Sequence, residues 1–474
     1  MYLLKIEKIT MKRVSILLLT FLISFHSFGQ DITGQWNGVL KVQGTQLRLV
    51  FHVTKTDIGY SSTMDSPDQG ANGIPVTNTT FENSKIKFEV SNARIEYNGE
   101  LKENEIIGTF KQGGQEFPMN LSRKDIEKVV IRPQEPIKPY PYYSEDITFQ
   151  NTIENISLAG TLTLPKKDGI FPVVILISGS GPQNRDEEIL GHKPFLVIAD
   201  YLTRNGIAVL RYDDRGVGQS KGDFKTATSA DFATDVQSAV DYLKTRNEIN
   251  KKKIGLVGHS EGGLIAPMVA SKSKDVSFIV LLAGPGIQGD KLLLLQQELI
   301  ARVSGTSEAE INKTILINSK LFEIVNKSEN DLKLKIALRN ELNDLMSKDT
   351  TSKLPNGMTQ EEFVSYQVNQ ISSPWMQYFI KYDPADALRK ITCPVLAVNG
   401  EKDLQVPPKE NLTAIKNILK NAGNKNATTM EFPNLNHLFQ ECQTGLPEEY
   451  ASIEQTFSPK ALEEITKWVL TQNK

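Results

Sequence analysis

A serine in the middle of the chain has the sequence context of a catalytic nucleophile. Residues 253–263 read KIGLVGHSEGG, in which an apolar strand precedes the turn 258–262 and a helix follows. Glycine on both sides permits a sharp strand-to-helix turn and leaves the serine hydroxyl uncovered by neighbouring side chains. Ser260 is therefore the candidate nucleophile. Because so short a pattern also arises by chance, its catalytic partners must be sought elsewhere in the sequence.

A serine hydroxyl is a weak nucleophile near neutral pH and needs a general base within hydrogen-bond reach. Among the five histidines, His437 suits this role because it follows a predicted strand over residues 428–432. Taken alone, His437 could equally be an ordinary surface-loop histidine. The other four lie in the N-terminal segment, in a β-rich region, before a helix and inside the turn itself: His26, His52, His192 and His259.

The base in turn needs a carboxylate to hold its tautomer. Asp403 comes shortly after a predicted strand over residues 395–398 and is the candidate acid. Glu401 is the alternative, and in isolation either carboxylate would more often be a solvated loop charge. The order Ser260, Asp403, His437, with each residue at the carboxyl end of a predicted strand, favours a catalytic triad.

The composition argues against several other classes of function. The chain has 54 basic and 56 acidic residues and a formal net charge of -2, so we expect neither nucleic acid nor anionic lipid as a partner. We also expect no metal and no cofactor, since metal-binding clusters and phosphate-loop motifs are missing from the sequence. Its two cysteines, Cys393 and Cys442, are predicted to lie too far apart for a disulfide. The sequence carries no indication of oligomeric state.

The first residues resemble an export signal. Met11-Lys12-Arg13 precedes an apolar run over residues 14–25 that is too short to span a bilayer, and Ser27 and Gly29 supply small residues before the expected cleavage site. We expect a signal peptide over residues 1–29, with Met11 as an alternative start, and export to the periplasm or the medium. No stable membrane insertion is expected after its removal. The alternative is an ordinary buried N-terminal helix.

Residues 31–123 have the pattern of a small antiparallel all-β domain. Apolar and polar residues alternate over residues 47–53, the period of a half-buried strand, and turn clusters such as Asn98-Gly99 separate about eight short strands. Gly34-Gln35-Trp36 resembles the start of a lipocalin-type barrel. The domain is either a structural or substrate-presenting module or an independent ligand-binding barrel. His52 is expected to be a solvated or hydrogen-bonded strand residue rather than a ligand.

A proline-rich linker over residues 124–144 separates this domain from an alternation of strands and helices, because proline removes the backbone donor that a helix or central strand needs. Short, continuously apolar strands with helices between them indicate a parallel sheet covered on both faces. The strands are predicted at residues 173–177, 208–212, 254–257, 278–282 and 395–398, and the helices at 195–204, 230–246 and 264–271.

A long helical insertion interrupts this alternation at about residues 286–380. Its leucines recur at helical spacing, and Ser307 with Glu310 fits a capping box. The stretch is too long for a plain connection and predicts a helical cap over the catalytic end of the sheet. The end of the insertion is rich in aromatic residues, which we expect to pack in the core rather than to bind the acyl chain of a substrate. This aromatic-rich stretch contains Trp375, Met376, Tyr378 and Phe379.

From about residue 145 onward the chain resembles the α/β-hydrolase superfamily, and within it exported bacterial esterases of the EstD type and serine-aminopeptidase-like hydrolases. The turn 258–262, the segment 213–220 and the segment Gly400-Glu401-Lys402-Asp403 carry this resemblance. It implies an α/β-hydrolase fold, a mostly parallel doubly wound sheet with a helical cap insertion, here preceded by the small antiparallel lipocalin-like domain. Such esterases resemble this chain in carrying an N-terminal β domain.

The resemblance also implies an oxyanion hole, half of it in the loop over residues 178–186 that follows the predicted strand 173–177. Backbone amides suit this task because they are fixed donors aimed at charge that develops only in the tetrahedral state. The amide of Ser180 is assigned here, with Gly181 as the alternative, and the amide of Glu261 is the second donor. Ser178 stands where many relatives carry histidine. Arg215, in the turn after the predicted strand 208–212, is expected to pair with a carboxylate beneath the site.

These patterns together predict an exported serine carboxylic-ester hydrolase whose partner is a small-molecule ester of small to medium acyl length. Ser260 attacks, His437 transfers the proton, Asp403 orients the base, and two amides stabilise the oxyanion. Two alternatives remain open. One is a serine peptidase or amidase of the same fold, because the same triad cleaves amides, and the other is a ligand-binding protein whose hydrolase domain is inert.

Overall fold

The computed structural model describes residues 31–42, 45–126, 132–348, 354 and 357–472. The predicted signal peptide lies outside the described residues. An antiparallel β unit comes first and an α/β unit follows it, each with its own hydrophobic core. This arrangement confirms the predicted fold class.

The β unit is an antiparallel sheet that curls into a half-barrel. Its strands are β1 (Gly34–Val42), β2 (Thr45–Thr56), β3 (Gly59–Ser66), β4 (Ala71–Val76), β5 (Asn78–Glu82), β6 (Lys85–Val90), β7 (Ile95–Lys102), β8 (Glu105–Gln112), β9 (Gln115–Pro118) and β10 (Leu121–Ser122). They are ordered β4-β3-β2-β1-β10-β8-β7-β6-β5, with β9 paired to β8. The Thr79 hydroxyl of β5 donates to Ser62 Oγ of β3 at 3.0 Å, so strands far apart in this order come together.

Aromatic side chains fill the interior of the β unit. The rings of Phe51 and Phe88 stack with centroids 4.4 Å apart, and Tyr97 packs beside both. Trp36 is 1% exposed and lies beneath the Arg123 guanidinium, whose carbon is 3.9 Å from the ring centroid. The alternating apolar residues of the sequence therefore form a packed core, which favours a structural or presenting module over a ligand-binding barrel.

His52 lies on the outer side of this unit, in β2. Its Nε2 is 2.8 Å from Asp65 Oδ2, and its side chain is 43% exposed. The residue is thus a half-solvated, hydrogen-bonded strand residue, in the manner expected from the sequence.

The α/β unit is built on an eight-stranded sheet. Its strands are β11 (Tyr143–Asn151), β12 (Ile156–Leu164), β13 (Phe171–Ile177), β14 (Ala208–Tyr212), β15 (Ile249–His259), β16 (Val276–Leu282), β17 (Val395–Gly400) and β18 (Ala427–Phe432). The order is β11-β12-β14-β13-β15-β16-β17-β18. Strand β12 is antiparallel to both of its neighbours, β11 and β14, and the strands from β14 to β18 in this order are parallel to one another. Tyr143 and Ser144, assigned to the linker from the sequence, belong to β11.

Helices cover both faces of this sheet. They are α1 (Pro194–Arg204), α2 (Ser229–Thr245), α3 (Gly262–Ala270), α4 (Gly289–Val303), α5 (Glu308–Lys327), α6 (Asp331–Lys348), α7 (Gln360–Ile371), α8 (Pro374–Lys381), α9 (Ala385–Leu388), α10 (Pro408–Asn421) and α11 (Pro459–Gln472). Apolar residues of α2, α3 and α10, such as Val240, Ile265 and Ile415, pack on one face. Phe195 of α1 and Val469 of α11 pack on the other, so the sheet is doubly wound.

Helices α4 to α8 form the insertion between β16 and β17. Leucines that recur at helical spacing, including Leu334 and Leu338 of α6, are buried in a separate core within the insertion. A second apolar cluster joins α3 to the insertion through Leu264, Leu292 and Phe379. Because α3 directly follows Ser260, this cluster holds the insertion next to the candidate nucleophile.

The segment before β11 is attached to the α/β unit by hydrogen bonds. The Arg132 guanidinium donates to the main-chain carbonyl of Ala451 at 3.1 Å, and Gln134 Oε1 accepts the amides of Thr456 at 2.6 Å and Phe457 at 3.0 Å. The linker is therefore docked rather than extended into solvent over this stretch. Across the described ranges, every helix is too short or too polar to traverse a lipid bilayer.

Candidate active site

Ser260 lies in a strained turn between β15 and α3. Its φ is +53°, a left-handed value that is costly for a residue with a side chain. The turn is possible because a Cβ at Gly258 would lie 2.0 Å from the Gly262 carbonyl oxygen, and one at Gly262 would lie 2.1 Å from the Ile177 carbonyl oxygen. The Ser260 amide donates to the Leu282 carbonyl at 2.8 Å, which fixes the turn against β16. This is the geometry of a nucleophile elbow.

His437 and Asp403 form a buried pair at the same end of the sheet. His437 Nδ1 is 2.9 Å from Asp403 Oδ2, and the two side chains are 5% and 0% exposed. The other carboxylate oxygen of Asp403 accepts the amides of Gln405 at 2.9 Å and Val406 at 2.8 Å. Because the carboxylate accepts, His437 carries its proton on Nδ1 and leaves Nε2 as the basic nitrogen.

Sheet topology explains why these residues come together. Ser260 follows β15, Asp403 follows β17 and His437 follows β18. In the sheet, β15, β16, β17 and β18 lie side by side in this order and are parallel. Their carboxyl ends therefore meet at one edge. The rings of His259 and His437 lie with centroids 4.8 Å apart, so the turn that carries Ser260 contacts the loop that carries His437.

Glu401, the alternative acid, does not take this position. Its carboxylate accepts the amide of Asn434 at 2.9 Å and is exposed. The structure pairs His437 with Asp403 instead.

Two buried carboxylates shape the loop that was predicted to hold half of the oxyanion hole. The Gly179 amide donates to Glu187 Oε1 at 2.7 Å. Asp214 accepts the Ser178 hydroxyl at 2.6 Å and the Gln183 amide at 3.0 Å. Burial raises the pKa of Asp214 well above its usual range, although these two hydrogen bonds oppose the shift. Ser178, where histidine was expected from the resemblance, thus anchors the loop through its hydroxyl.

The amides assigned to the oxyanion hole are uncommitted. Within residues 132–348 and 357–472, the Ser180 and Glu261 amides have no protein acceptor, whereas that of Gly179 is occupied by Glu187. Gly181, the alternative, follows with a φ of +97°. Free amides in the loop after β13 and directly after the nucleophile are the donors that acyl transfer requires.

Comparison with known families matches residues 193–442 to the family described as serine aminopeptidase, S33. The matched stretch is more than half of the chain and contains Ser260, Asp403 and His437. The chain belongs to this S33 family of α/β hydrolases. The resemblance stated from the sequence is thereby confirmed.

Individual relatives of the S33 protein include named esterases. It is 26% identical over 338 residues to esterase EstD of Thermotoga maritima, a match that covers 70% of this chain and 69% of EstD. A solved esterase of Pyrococcus furiosus covers 74% of this chain and 95% of its own, at 16% identity and a TM-score of 0.42. Est1E of Butyrivibrio proteoclasticus with ferulic acid bound covers 69% and 99%, at 18% identity and a TM-score of 0.40.

The side chain of Glu261 connects the elbow of this S33 hydrolase to its cap. Its Oε1 accepts the Ser229 hydroxyl of α2 at 2.5 Å and the indole N–H of Trp375 in α8 at 2.8 Å. Burial raises the pKa of Glu261, and both hydrogen bonds oppose that shift. From the sequence, Glu261 was considered only for its amide and Trp375 mainly for packing. Trp375 does stack on Phe379, with centroids 5.1 Å apart, but it also reaches the active-site turn.

Sequence reasoning also missed Glu187, which lies in the loop after β13. Its Oε1 is 2.9 Å from His259 Nδ1, while His259 Nε2 is 3.0 Å from the His437 carbonyl oxygen. No periodic pattern marks Glu187, so only its proximity to the oxyanion loop in sequence could have suggested a role.

Arg215 has the supporting role that was expected of it. Its Nε donates to Asp235 Oδ2 of α2 at 2.7 Å, with both side chains buried. Asn151 also donates to Asp235, at 2.7 Å, which ties β11 to the same pair. Over the described part of the chain, His, Cys, Asp and Glu side chains form no group of three or more suited to a metal ion.

Proposed function

We propose that this protein is an exported serine carboxylic-ester hydrolase that acts on small to medium acyl esters through Ser260, His437 and Asp403. The S33 family and the EstD relative support a hydrolase of carboxylesterase type. The observation that carries the proposal is the buried 2.9 Å contact between His437 Nδ1 and Asp403, which leaves Nε2 basic beside a strained serine turn. A surface-loop histidine would not be held in one tautomer in this way.

The reaction follows from these positions. Ser260 Oγ attacks the ester carbonyl carbon while His437 Nε2 takes the hydroxyl proton, and Asp403 stabilises the imidazolium that forms. The amides of Ser180 and Glu261 donate to the developing oxyanion. As the tetrahedral intermediate collapses, His437 returns the proton to the departing alcohol and an acyl-enzyme remains. A water molecule, deprotonated by His437, then attacks the acyl carbon. The second tetrahedral intermediate collapses as its bond to Ser260 Oγ breaks, His437 returns the proton to Ser260 Oγ, and the carboxylic acid leaves.

Replacement of the nucleophile tests this proposal. We expect Ser260→Ala to lower turnover of p-nitrophenyl esters by about 10⁴-fold or more while circular dichroism stays unchanged. The matched control is Ser271→Ala, at the end of helix α3, which follows the nucleophile turn. The Ser271 hydroxyl donates to the Met268 carbonyl. Fluorophosphonate should label the wild type and the control but not Ser260→Ala. Labelling also rules out a ligand-binding protein with an inert hydrolase domain, because only an activated serine reacts.

A peptidase or amidase is the second candidate, and the family description favours it. An aminopeptidase needs an anionic partner for the substrate's ammonium group. Glu261, the carboxylate next to Ser260, is 2% exposed and already accepts hydrogen bonds from Ser229 and Trp375, which favours ester substrates. Steady-state kinetics on p-nitrophenyl esters of different acyl length against aminoacyl anilides distinguish the two activities.

Export is supported by the sequence of residues 11–29. Expression of the full chain in a Gram-negative host, fractionation and N-terminal sequencing test it. We expect a processed protein that begins at Gln30 in the periplasm or medium. An unprocessed cytosolic product would contradict export without affecting the proposed chemistry.

A further inference from the structure

His259, the residue before the nucleophile, bridges two parts of the active site. Its Nδ1 is 2.9 Å from Glu187 Oε1 and its Nε2 is 3.0 Å from the main-chain oxygen of His437. The ring is 7% exposed and held in place at both nitrogens. The Gly179 amide donates to the same Glu187 oxygen at 2.7 Å. One buried pair thus joins the oxyanion loop, the elbow and the loop of the catalytic base.

The partners of His259 determine its charge. A carbonyl oxygen can only accept a hydrogen bond, so Nε2 must carry a hydrogen. Glu187 Oε1 also accepts the Gly179 amide, as an ionised carboxylate does, and a carboxylate oxygen opposite Nδ1 assigns a hydrogen to that nitrogen as well. An imidazole that donates from both nitrogens is protonated. These hydrogen-bond partners therefore favour an imidazolium paired with a carboxylate.

The remaining surroundings agree with this assignment. The titratable groups that face His259 are Glu187 from the loop after β13, Asp403 from the loop after β17 and His437 from the loop after β18. Apolar residues line the small cavity beside it, among them Phe195 of α1 and Leu282 of β16. Burial is the largest single influence and acts to lower the pKa of His259. The charge and hydrogen bond of Glu187, the His437 carbonyl and the charge of Asp403 together outweigh it, so the net direction is upward.

We propose that His259 is a positioning residue which, as an imidazolium paired with Glu187, fixes the main chain of His437 relative to the oxyanion loop. This inference rests on the proposed ester hydrolysis. Its physical basis is that Glu187 orients the Gly179–Ser180 loop on one side and, through His259, the catalytic base on the other. Loss of either residue leaves His437 Nε2 and the Ser180 amide free to shift relative to the reacting carbonyl, and shifts of about 1 Å cost on the order of 100-fold in rate.

Two single variants and their combination test the coupling. In His259→Gln, the uncharged side-chain amide can still donate to the His437 carbonyl. The positive charge that faces Glu187 is lost. Glu187→Gln preserves size and removes the negative charge. The double variant His259→Gln/Glu187→Gln completes a cycle. The matched control is His52→Gln, which disrupts a similar histidine–carboxylate contact, with Asp65, in the half-exposed surface of the β unit.

We expect kcat for a p-nitrophenyl ester to fall by about 10- to 100-fold in each single variant, with KM changed less than about threefold. The double variant should be no slower than the slower single variant, because the two residues act as one unit. His52→Gln should match the wild type. Single variants within about twofold of wild-type kcat, or effects that multiply in the double variant, would overturn the inference.

The charge of His259 is measured without reference to activity. Long-range ¹H–¹⁵N NMR of the wild type, with the His259 signals assigned by their loss in His259→Gln, should show both ring nitrogens protonated at about pH 7.5, where a histidine of ordinary pKa near 6.5 is mostly neutral. In Glu187→Gln, His259 should titrate at lower pH. A neutral His259 in the wild type would sink the inference even if esters are cleaved. Conversely, a wild type that neither cleaves esters nor reacts with fluorophosphonate refutes the proposed function, whatever the NMR shows.

Discussion

The indole N–H of Trp375 donates to the Glu261 carboxylate at 2.8 Å and thereby joins the cap to the residue that follows Ser260. The backbone amide of Glu261 is also one of the two uncommitted donors proposed for the oxyanion hole. A change in the cap can therefore reach the nucleophile turn through one buried side chain. Phe379 of α8 and Leu264 of α3 also belong to one apolar cluster, so the cap is linked by packing as well to the helix that follows the nucleophile turn.

Removal of this hydrogen bond should affect both stability and activity. Trp375→Phe keeps an aromatic ring on Phe379 but leaves the buried Glu261 carboxylate with one donor fewer. We expect the free energy of unfolding to fall by about 1–3 kcal/mol, since a buried acceptor loses its partner, and kcat/KM for p-nitrophenyl esters to fall severalfold. Urea denaturation and steady-state kinetics measure the two effects.

The control for this change is Trp468→Phe in α11, where the indole packs edge-on against Phe278 with centroids 5.9 Å apart. It should alter stability through packing and leave kcat/KM unchanged. Equal kinetics in Trp375→Phe and the wild type would show that the contact between cap and elbow has no role in turnover.

The tautomer of His437 depends on Asp403 and not on the neighbouring Glu401. Asp403→Asn presents an amide N–H to His437 Nδ1, so the ring proton moves to Nε2 and that nitrogen can no longer take the Ser260 proton in the proposed mechanism. We expect kcat to fall by about 10³- to 10⁴-fold. Glu401→Gln, which changes an exposed carboxylate that only accepts the Asn434 amide, should retain at least about half of the activity. A larger loss in Glu401→Gln than in Asp403→Asn would reverse the two assignments.

The fold was predictable from the sequence where burial is continuous. The predicted strand 208–212 coincides with β14, because strands covered on both faces are apolar throughout. The helix predicted at 195–204 begins one residue after the observed start of α1. The hairpin β11–β12 was not predicted. Residues of β11 alternate between exposed and buried at the edge of the sheet, directly after a proline-rich stretch, so they lack that signal.

The candidate site divides in the same way. Ser260, Asp403 and His437 could be named because parallel strands bring their carboxyl ends to one edge, and the structure places Asp403 against His437. The carboxylates of Glu187 and Glu261 could not, because no strand or helix period fixes the direction of a side chain in a loop or a turn. What these side chains contact depends on loop geometry and on the cap, which sequence patterns do not specify.

Stability should depend on pH through Asp214. An ordinary aspartate has a pKa of about 3.9, and burial holds the pKa of Asp214 well above its usual range, so the folded protein binds a proton that the unfolded chain has released. The stabilisation linked to this group is complete below the unfolded pKa and is lost as pH rises through the folded pKa. Asp214→Asn removes the buried charge, and its oxygen can accept the Gln183 amide while its N–H₂ donates to Ser178.

We therefore expect the unfolding free energy of Asp214→Asn, relative to the wild type, to increase as pH rises from about 4, where Asp214 of the unfolded chain begins to ionise. Urea denaturation at intervals between about pH 4 and about pH 8 measures this difference. The control is Asp223→Asn, since hydrogen bonds from the Thr226 hydroxyl and the Lys225 amide lower the pKa of that exposed carboxylate. Its relative stability should change in the opposite direction and only at the acid end of this range, because the stability contributed by a lowered pKa is already complete above the unfolded value. A difference for Asp214→Asn that stays constant with pH would mean that Asp214 ionises as readily in the folded protein as in the unfolded chain.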